Sequence, residues 1–186
     1  MEKRFSAAVE EALRKEPPEI LRTVKDCTDG GLWIVGGFVY RSIAEELYGV
    51  PRSAKDIDFA TDQLCNLSPP PPWTVTMNVF GQPKLSLGKH RIDIMDLPGA
   101  HYIRRKGLAP TIENLLAGSP LTIQAIAYDI HTGQVIGEAG KEALLTKTVR
   151  VHNRDQATFV QPFLGITTET LIYRKASSLG FHAIYD

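Results

Sequence analysis

Two aspartates separated by one apolar residue, Asp56 and Asp58, are the side chains in this 186-residue sequence that most directly indicate chemistry. Alternate side chains of a strand share one face, so both carboxylates would lie together while Ile57 turns toward the core. Neighbouring carboxylates repel each other, and a divalent cation such as Mg²⁺ or Mn²⁺ relieves that repulsion because it prefers oxygen ligands. The pair therefore predicts a metal site, although the same spacing also arises by chance.

A third acid, Asp93, lies in the segment 89–97, where two isoleucines flank it. This pattern predicts another strand, and we expect Asp93 to complete the acidic group with Asp56 and Asp58. Asp96 falls on the opposite face of that strand if the alternation holds, so we interpret it as a strand-end or turn residue.

A glycine pair, Gly36 and Gly37, follows the short apolar run 32–35. Neither glycine carries a Cβ, so the backbone can turn and approach a ligand closely. Apolar residues then recur at helical spacing until Gly49, which predicts a helix that begins at the pair. Free amide groups and the positive end of the helix dipole would converge there, and this arrangement suits a triphosphate.

The basic residues near these segments leave two interpretations open. Arg41 and Lys55 could neutralise phosphate charge, or they could form ordinary surface salt bridges. The basic stretch 104–106, which follows Tyr102, could contact bases and phosphates, or it could be a solvated turn.

Length and composition bound the remaining possibilities. A chain with 43% hydrophobic residues is long enough for one domain with a sizeable core. Lys plus Arg and Asp plus Glu both total 21, so there is no global basic field, and any contact with RNA must be local. Cys27 and Cys65 lack metal-ligand spacing, and no apolar run reaches membrane-spanning length. We therefore expect a cytoplasmic protein that has no membrane partner.

We predict an α+β fold with a single domain over 1–186. The proline run 69–72 is interpreted as a rigid loop. The predicted helices are 5–15, 19–27, 62–67, 112–116, 141–145 and one from about 167, and the predicted strands are 32–35, 74–80, 84–87 and 91–97, with a hairpin in 123–137.

Together these segments resemble the DNA polymerase beta-like nucleotidyltransferase superfamily, and within it the head domain of tRNA CCA-adding enzymes and bacterial poly(A) polymerases. The likeness covers most of the chain and is carried by the segments 36–39, 55–61 and 121–129. It implies a polymerase beta palm-like mixed sheet flanked by helices. It also implies a stand-alone minimal form with a truncated neck-like helix at about 167–181.

The activity implied by the resemblance is transfer of NMP from an NTP, such as ATP, to a hydroxyl acceptor, with two Mg²⁺ or Mn²⁺ ions. The acceptor would be an RNA 3′ end, which would make this an RNA-processing enzyme, or else a protein or a small molecule. The implied catalytic and metal-binding residues are Asp56, Asp58 and Asp93, and the implied nucleotide-binding residues are Gly36, Gly37, Arg41 and Lys55.

Several positions depart from the CCA-adding pattern. The family's Arg-Asp after the glycine pair is Tyr40-Arg41 here, its Arg-Arg-Asp is the Gly-Ser-Pro of 118–120, and its later Asn is Gln124. Ribose recognition by that route is not expected. Only Arg174 remains of the arginine ladder on the neck helix, and the tRNA-holding body has no expected counterpart. A catalytically weak or inactive nucleotide-binding regulatory domain therefore stays an alternative, as does a partner subunit or a homo-oligomer.

Overall fold

The computed structural model of this chain describes residues 1–52 and 56–185. Lys55 lies outside the described residues, so its predicted contact with nucleotide stays a prediction. The helices are α1 (Glu2–Arg14), α2 (Pro18–Asp26), α3 (Gly37–Tyr48), α4 (His101–Lys106), α5 (Ile112–Ala117), α6 (Glu138–Thr146), α7 (Arg154–Leu164) and α8 (Thr168–Leu179). The strands are β1 (Thr28–Val35), β2 (Asp56–Leu64), β3 (Thr74–Met77), β4 (Pro83–Leu87), β5 (His90–Asp96), β6 (Ala127–Asp129), β7 (Val135–Ile136), β8 (Thr148–Val149) and β9 (His182–Ala183).

A mixed seven-stranded sheet organises the fold, in the order β3-β4-β5-β2-β1-β6-β7. Strands β2 and β5 run parallel, whereas the other neighbours in this sheet are antiparallel. Strands β8 and β9 form a separate parallel pair. Helices flank the sheet, which confirms the predicted α+β class.

The two faces of the sheet pack differently. Ile57 and Phe59 of β2 point into the larger core, which also contains residues of α1, α3 and α8. The opposite face carries Asp56 and Asp58, and then Ala60, which packs in a smaller apolar cluster beneath α4 and α5. Apolar burial on both faces thus fixes the orientation of β2, and this orientation places the acids beside the smaller cluster.

Most of the predicted elements are present, including the helix from 167 and the meander before Asp93, but one prediction is wrong. The segment 62–67 is not a helix, because β2 continues to Leu64 and the Asp62 carboxylate accepts a hydrogen bond from the Gly31 amide at 2.6 Å. The basic stretch 104–106, for which a solvated turn was one interpretation, is helical, because it forms the last turn of α4.

Helix α7 is absent from the sequence-based prediction, although both of its ends carry ordinary signals. Asn153 caps its start by accepting a hydrogen bond from the Gln156 amide, and Gly165 ends it in the left-handed conformation. Among the described residues, no helix has the length and apolar character needed to cross a membrane.

Candidate active site

Three acidic side chains share one face of the sheet at the junction of β2 and β5. Asp58 and Asp93 are directly paired in the parallel register, and Asp56 precedes Asp58 by two residues, opposite Arg91. Paired residues of neighbouring strands point to the same face. The structure therefore places the three acids that the sequence analysis selected on one face of two neighbouring strands.

The environment of Asp58 opposes its ionisation. The pKa of its carboxyl is raised to about 6, mainly by burial and then by the charges of Asp93 and Asp56, while Lys175 and Lys84 act in the opposite direction. Negative charge on this face is therefore only partly compensated by the protein's own cations.

Lys84 on β4 is a site residue that the sequence does not indicate by any local signal. It is the antiparallel partner of Asp93, and its Nζ lies 3.2 Å from Asp93 Oδ2. Both side chains are partly exposed, at 33% for Lys84 and 26% for Asp93. The third carboxylate is thus held by an ammonium group on the neighbouring strand.

Lys175 on α8 supplies a second cation from a distant part of the chain. Its Nζ donates a hydrogen bond to the Tyr40 hydroxyl at 3.4 Å, and its charge lowers the pKa of Asp58. Tyr40 is buried in the first turn of α3. Helix α8 therefore directs Lys175, and not the exposed Arg174, toward the start of α3 and the acids.

The residue types of this face suit a hard divalent cation, because they provide carboxylate oxygens whose charge is incompletely balanced. Within residues 1–52 and 56–185, however, no three acidic, histidine or cysteine side chains are grouped closely enough to hold a metal ion. Asp93 is instead engaged by Lys84. A metal held by all three acids would require Asp93 to exchange this ammonium for the cation.

The glycine pair forms the turn between β1 and α3, directly beside the acids. Val35, the last residue of β1, pairs with Asp58, so the turn begins next to this carboxylate. Gly36 has φ 58° and ψ −115°, a conformation that residues with a Cβ avoid, and a Cβ there would meet nothing within 4 Å. The turn thus requires glycine for its backbone conformation, and open space lies beside it.

The amides of this turn are not equivalent. The Gly36 amide donates to the Ile126 carbonyl at 3.0 Å, so it is already engaged in the fold. The first helical hydrogen bond runs from the Tyr40 amide to Gly36 O, and no side chain caps α3. The amides from Gly37 to Val39 therefore lack partners within the helix and can receive an anion.

Arg41 and Asp96 take clearly different positions. Arg41 Nη1 would lie 3.1 Å from a Cβ on Gly37, so the guanidinium borders the glycine turn. Asp96 lies on the opposite strand face from Asp93, next to Gly99, in agreement with its interpretation as a strand-end residue.

Tyr102 is unsuited to stacking on a base. Its hydroxyl accepts a hydrogen bond from Asn153 Nδ2 at 3.0 Å, and its ring packs against Gly118. The residue therefore has a structural role between α4 and α7.

Solved structures with the same fold include those of tRNA nucleotidyltransferases. A Thermotoga maritima CCA-adding enzyme complexed with tRNA matches with a TM-score of 0.56 and 21% identity, over 95% of this chain and 42% of that one. A tRNA nucleotidyltransferase complexed with a primer tRNA and an incoming ATP analog matches with a TM-score of 0.55 and 22% identity, over 83% and 43%. A CCA-adding enzyme with CTP gives a TM-score of 0.55 and 21% identity, over 91% and 40%.

The chain thus spans less than half the length of these structures. No protein-family model and no curated protein matches the sequence. The structural agreement over most of the chain nevertheless confirms the resemblance in fold. This chain has the fold of the nucleotidyltransferase head domain seen in CCA-adding enzymes.

Proposed function

We propose that this protein is a metal-dependent nucleotidyltransferase that transfers NMP from an NTP to a hydroxyl group. The observation that carries the proposal is the pairing of Asp58 with Asp93 beside the uncapped start of α3. An acidic group next to an anion-binding helix terminus suits a substrate made of a triphosphate and divalent cations. The structural neighbours that were solved with CTP or an ATP analog support the same substrate class.

Each residue of the site has a defined task in this reaction. Asp56, Asp58 and Asp93 would hold Mg²⁺ or Mn²⁺, which when bound polarises the α-phosphate and stabilises the charge that develops in the transition state. Asp93, on the side of the acidic group that faces Lys84, would lie near the acceptor hydroxyl and favour its deprotonation.

The triphosphate would be bound by the glycine turn and its basic neighbours. The Gly37 amide, which has no partner within α3, would hold the β- and γ-phosphates, whereas Gly36 contributes through its backbone conformation because its own amide is engaged. Arg41 at the turn and Lys175 above it would neutralise phosphate charge as pyrophosphate leaves.

A specific observation also favours the second candidate, a regulatory domain that binds nucleotide without transferring it. Lys84 already neutralises Asp93, and the described residues do not form a ready-made metal group. In such a domain Lys84 would permanently replace a metal ion, and nucleotide would bind at the start of α3 without release of pyrophosphate.

A transfer assay separates the two candidates. The protein is incubated with each α-labelled NTP, with Mg²⁺ or Mn²⁺, and with RNA, protein or small hydroxyl compounds as acceptors. We expect labelled product and pyrophosphate from the natural sequence and loss of at least a hundredfold in Asp58→Asn. Asp96→Asn, on the opposite face of β5, serves as the matched control and should retain activity. Equal activity of Asp58→Asn and the natural sequence would refute the proposed role of the acids.

A further inference from the structure

Four aromatic rings from three separate segments form a continuous cluster at the edge of the molecule, which we call the aromatic platform: Phe80, His101, Phe159 and Phe163. The His101 and Phe159 rings are stacked, with centroids 4.2 Å apart and an interplanar angle of 15°. Phe163 lies 5.2 Å from Phe159 and 5.1 Å from Phe80. The platform thus connects the turn before β4 with α4 and α7.

The platform is unusually exposed for a group of phenylalanines. Phe80 is 41% exposed and Phe163 is 53% exposed, and the adjacent Val79 and Leu164 reach 82% and 51%. A cavity of about 510 Å³ opens between the 79–80 turn and α4 and is lined by His101. Exposed apolar surface of this kind marks an interaction site more often than a random feature of the surface.

Polar contacts hold the platform in place without a ligand. The Asn78 side chain accepts hydrogen bonds from the amides of Phe80 and Gln82, at 2.9 and 3.0 Å, and so fixes the turn that presents Phe80. Arg105 donates to both carboxylate oxygens of Asp155, at 3.3 and 2.7 Å, and thereby ties α4 to α7. A surface that is already ordered loses little conformational entropy on binding.

The charge around the rings is positive, although the chain as a whole has a formal net charge of zero. The last turn of α4 contains Arg104, Arg105 and Lys106, and Arg105 also lies over the Phe159 ring, 4.9 Å from its centroid. Arg105 and Lys106 share the single carboxylate of Asp155, which leaves an excess of positive charge. Aromatic rings interleaved with arginines match the bases and phosphates of a single nucleic-acid strand.

The platform adjoins the proposed site of transfer. Helix α4 packs on Ala60 and Met95, which lie two residues beyond Asp58 and Asp93 on the same sheet face. Asp93 lies about 10 Å from the end of β5 at the strand rise, and the short segment 97–100 connects that end to α4.

We propose that the aromatic platform binds the unpaired nucleotides of a single-stranded nucleic acid. In combination with the proposed function, on which this part rests, the surface directs the 3′ hydroxyl of the bound strand toward Asp93. Bases stack on Phe80 and Phe163, while Arg104, Arg105 and Lys106 contact the phosphates.

Binding of fluorescent RNA and DNA oligonucleotides, measured by anisotropy on the full chain without NTP or metal, tests the platform. We expect single strands to bind at least tenfold more tightly than a blunt duplex, since paired bases present no free faces. The double variant Phe80→Ala/Phe163→Ala should weaken single-strand binding by roughly tenfold or more, given the usual contribution of base stacking. The control Leu145→Ala removes a similarly exposed apolar side chain from α6 and should leave binding unchanged.

Other outcomes overturn the proposal. Single-strand binding that is unchanged in the double variant excludes the platform as the contact. Absence of single-strand binding, with a shift from oligomer to monomer in the double variant, identifies the platform as a contact between protein copies.

The transferase proposal is tested separately by Asp58→Asn, which should bind single strands normally and transfer no NMP. Platform-dependent binding without any transfer by the natural sequence would leave the platform supported and the transferase function refuted.

Discussion

Asp58 lies on a half-buried strand face between two other acidic residues, and this position opposes its ionisation. Its pKa is about 6 in the folded protein, compared with an ordinary value of 3.8. Ionisation of this carboxyl therefore lowers the stability of the folded state by about 3 kcal/mol above pH 6, and this effect declines to zero as the pH falls from 6 to below 3.8. Asp56 and Asp93 increase this effect, whereas Lys84 and Lys175 reduce it.

Replacing this carboxyl with an amide should stabilise the protein only where the carboxyl is charged. We expect Asp58→Asn to exceed the natural sequence in unfolding free energy by roughly 1–3 kcal/mol at pH 7.5. The difference should diminish as the pH falls through about 6 and should vanish near pH 4. Urea unfolding at half-unit pH intervals measures this difference in unfolding free energy. Asp26→Asn, which replaces an exposed carboxylate, is the control. A difference that does not depend on pH would contradict the electrostatic explanation.

Lys84 competes with any cation that approaches Asp93, because its Nζ lies 3.2 Å from Asp93 Oδ2. The isosteric change Lys84→Met removes this charge, and it should increase Mn²⁺ affinity roughly three- to tenfold, since a partly exposed ion pair contributes about 1 kcal/mol. Titration calorimetry measures the affinity, and Lys89→Met, an exposed residue in the following turn, is the control. Weaker Mn²⁺ binding in Lys84→Met would show that Lys84 supports the metal site.

At the scale of secondary-structure elements, the turn from β1 into α3 requires a backbone conformation that glycine adopts and that residues with a Cβ avoid. Gly36 has φ 58° and ψ −115°, whereas Gly49, at the other end of α3, has φ 68° and ψ 19°. A Cβ would meet nothing within 4 Å at either position. Any difference between alanine substitutions at the two sites therefore reports backbone conformation alone.

We expect Gly36→Ala to lower the unfolding free energy by roughly 2–3 kcal/mol and Gly49→Ala by about 1 kcal/mol, because the left-handed helical region tolerates a Cβ better. Chemical denaturation of the two variants in parallel provides the comparison. Equal losses of unfolding free energy in the two variants would indicate that the turn at Gly36 can change its conformation without an energetic penalty. The amides at the start of α3 would then not be held in a fixed direction.

The local part of this site is predictable from sequence, because its signals lie within a few residues of one another. A glycine pair before a helical repeat predicts the turn into α3, and alternation around Asp56 and Asp58 predicts which face carries the acids. These features depend on backbone conformation and on period-two patterning, both of which a single sequence displays.

The remaining part of the site depends on tertiary contacts that no local pattern encodes. Lys84 reaches Asp93 through the register of β4 and β5, and Lys175 reaches Tyr40 over 135 positions of sequence. Helix α7 contains Pro162, and a proline inside a helical segment predicts a break, so the local pattern argues against this helix.

At the scale of the whole molecule, the topology brings the acids together. The meander through β3 and β4 returns the chain so that β5 lies parallel to β2, in an otherwise antiparallel sheet. Parallel alignment places Asp93 opposite Asp58, and the same arrangement directs the end of β5 toward α4 and the aromatic platform. The proposed transfer site and the proposed strand-binding surface are thus consecutive features of one strand.

The charge distribution of the whole chain predicts how strand binding responds to salt. A net charge of zero provides no general attraction for a polyanion, so the phosphates interact mainly with Arg104, Arg105 and Lys106. Three neutralised phosphates on a single strand correspond to a slope of about −2 for log K against log salt. Anisotropy titrations of an oligonucleotide measure this slope at KCl concentrations from roughly 50 to 300 mM, a range that includes physiological ionic strength.

Arg104→Ala should make the slope less steep by about 0.7, because one phosphate contact is lost, while the distant control Arg22→Ala should leave it unchanged. A slope near −5 would require about seven phosphate contacts, more than the last turn of α4 supplies. Binding would then extend over a much larger surface than the platform, and stacking on Phe80 and Phe163 would not explain the affinity.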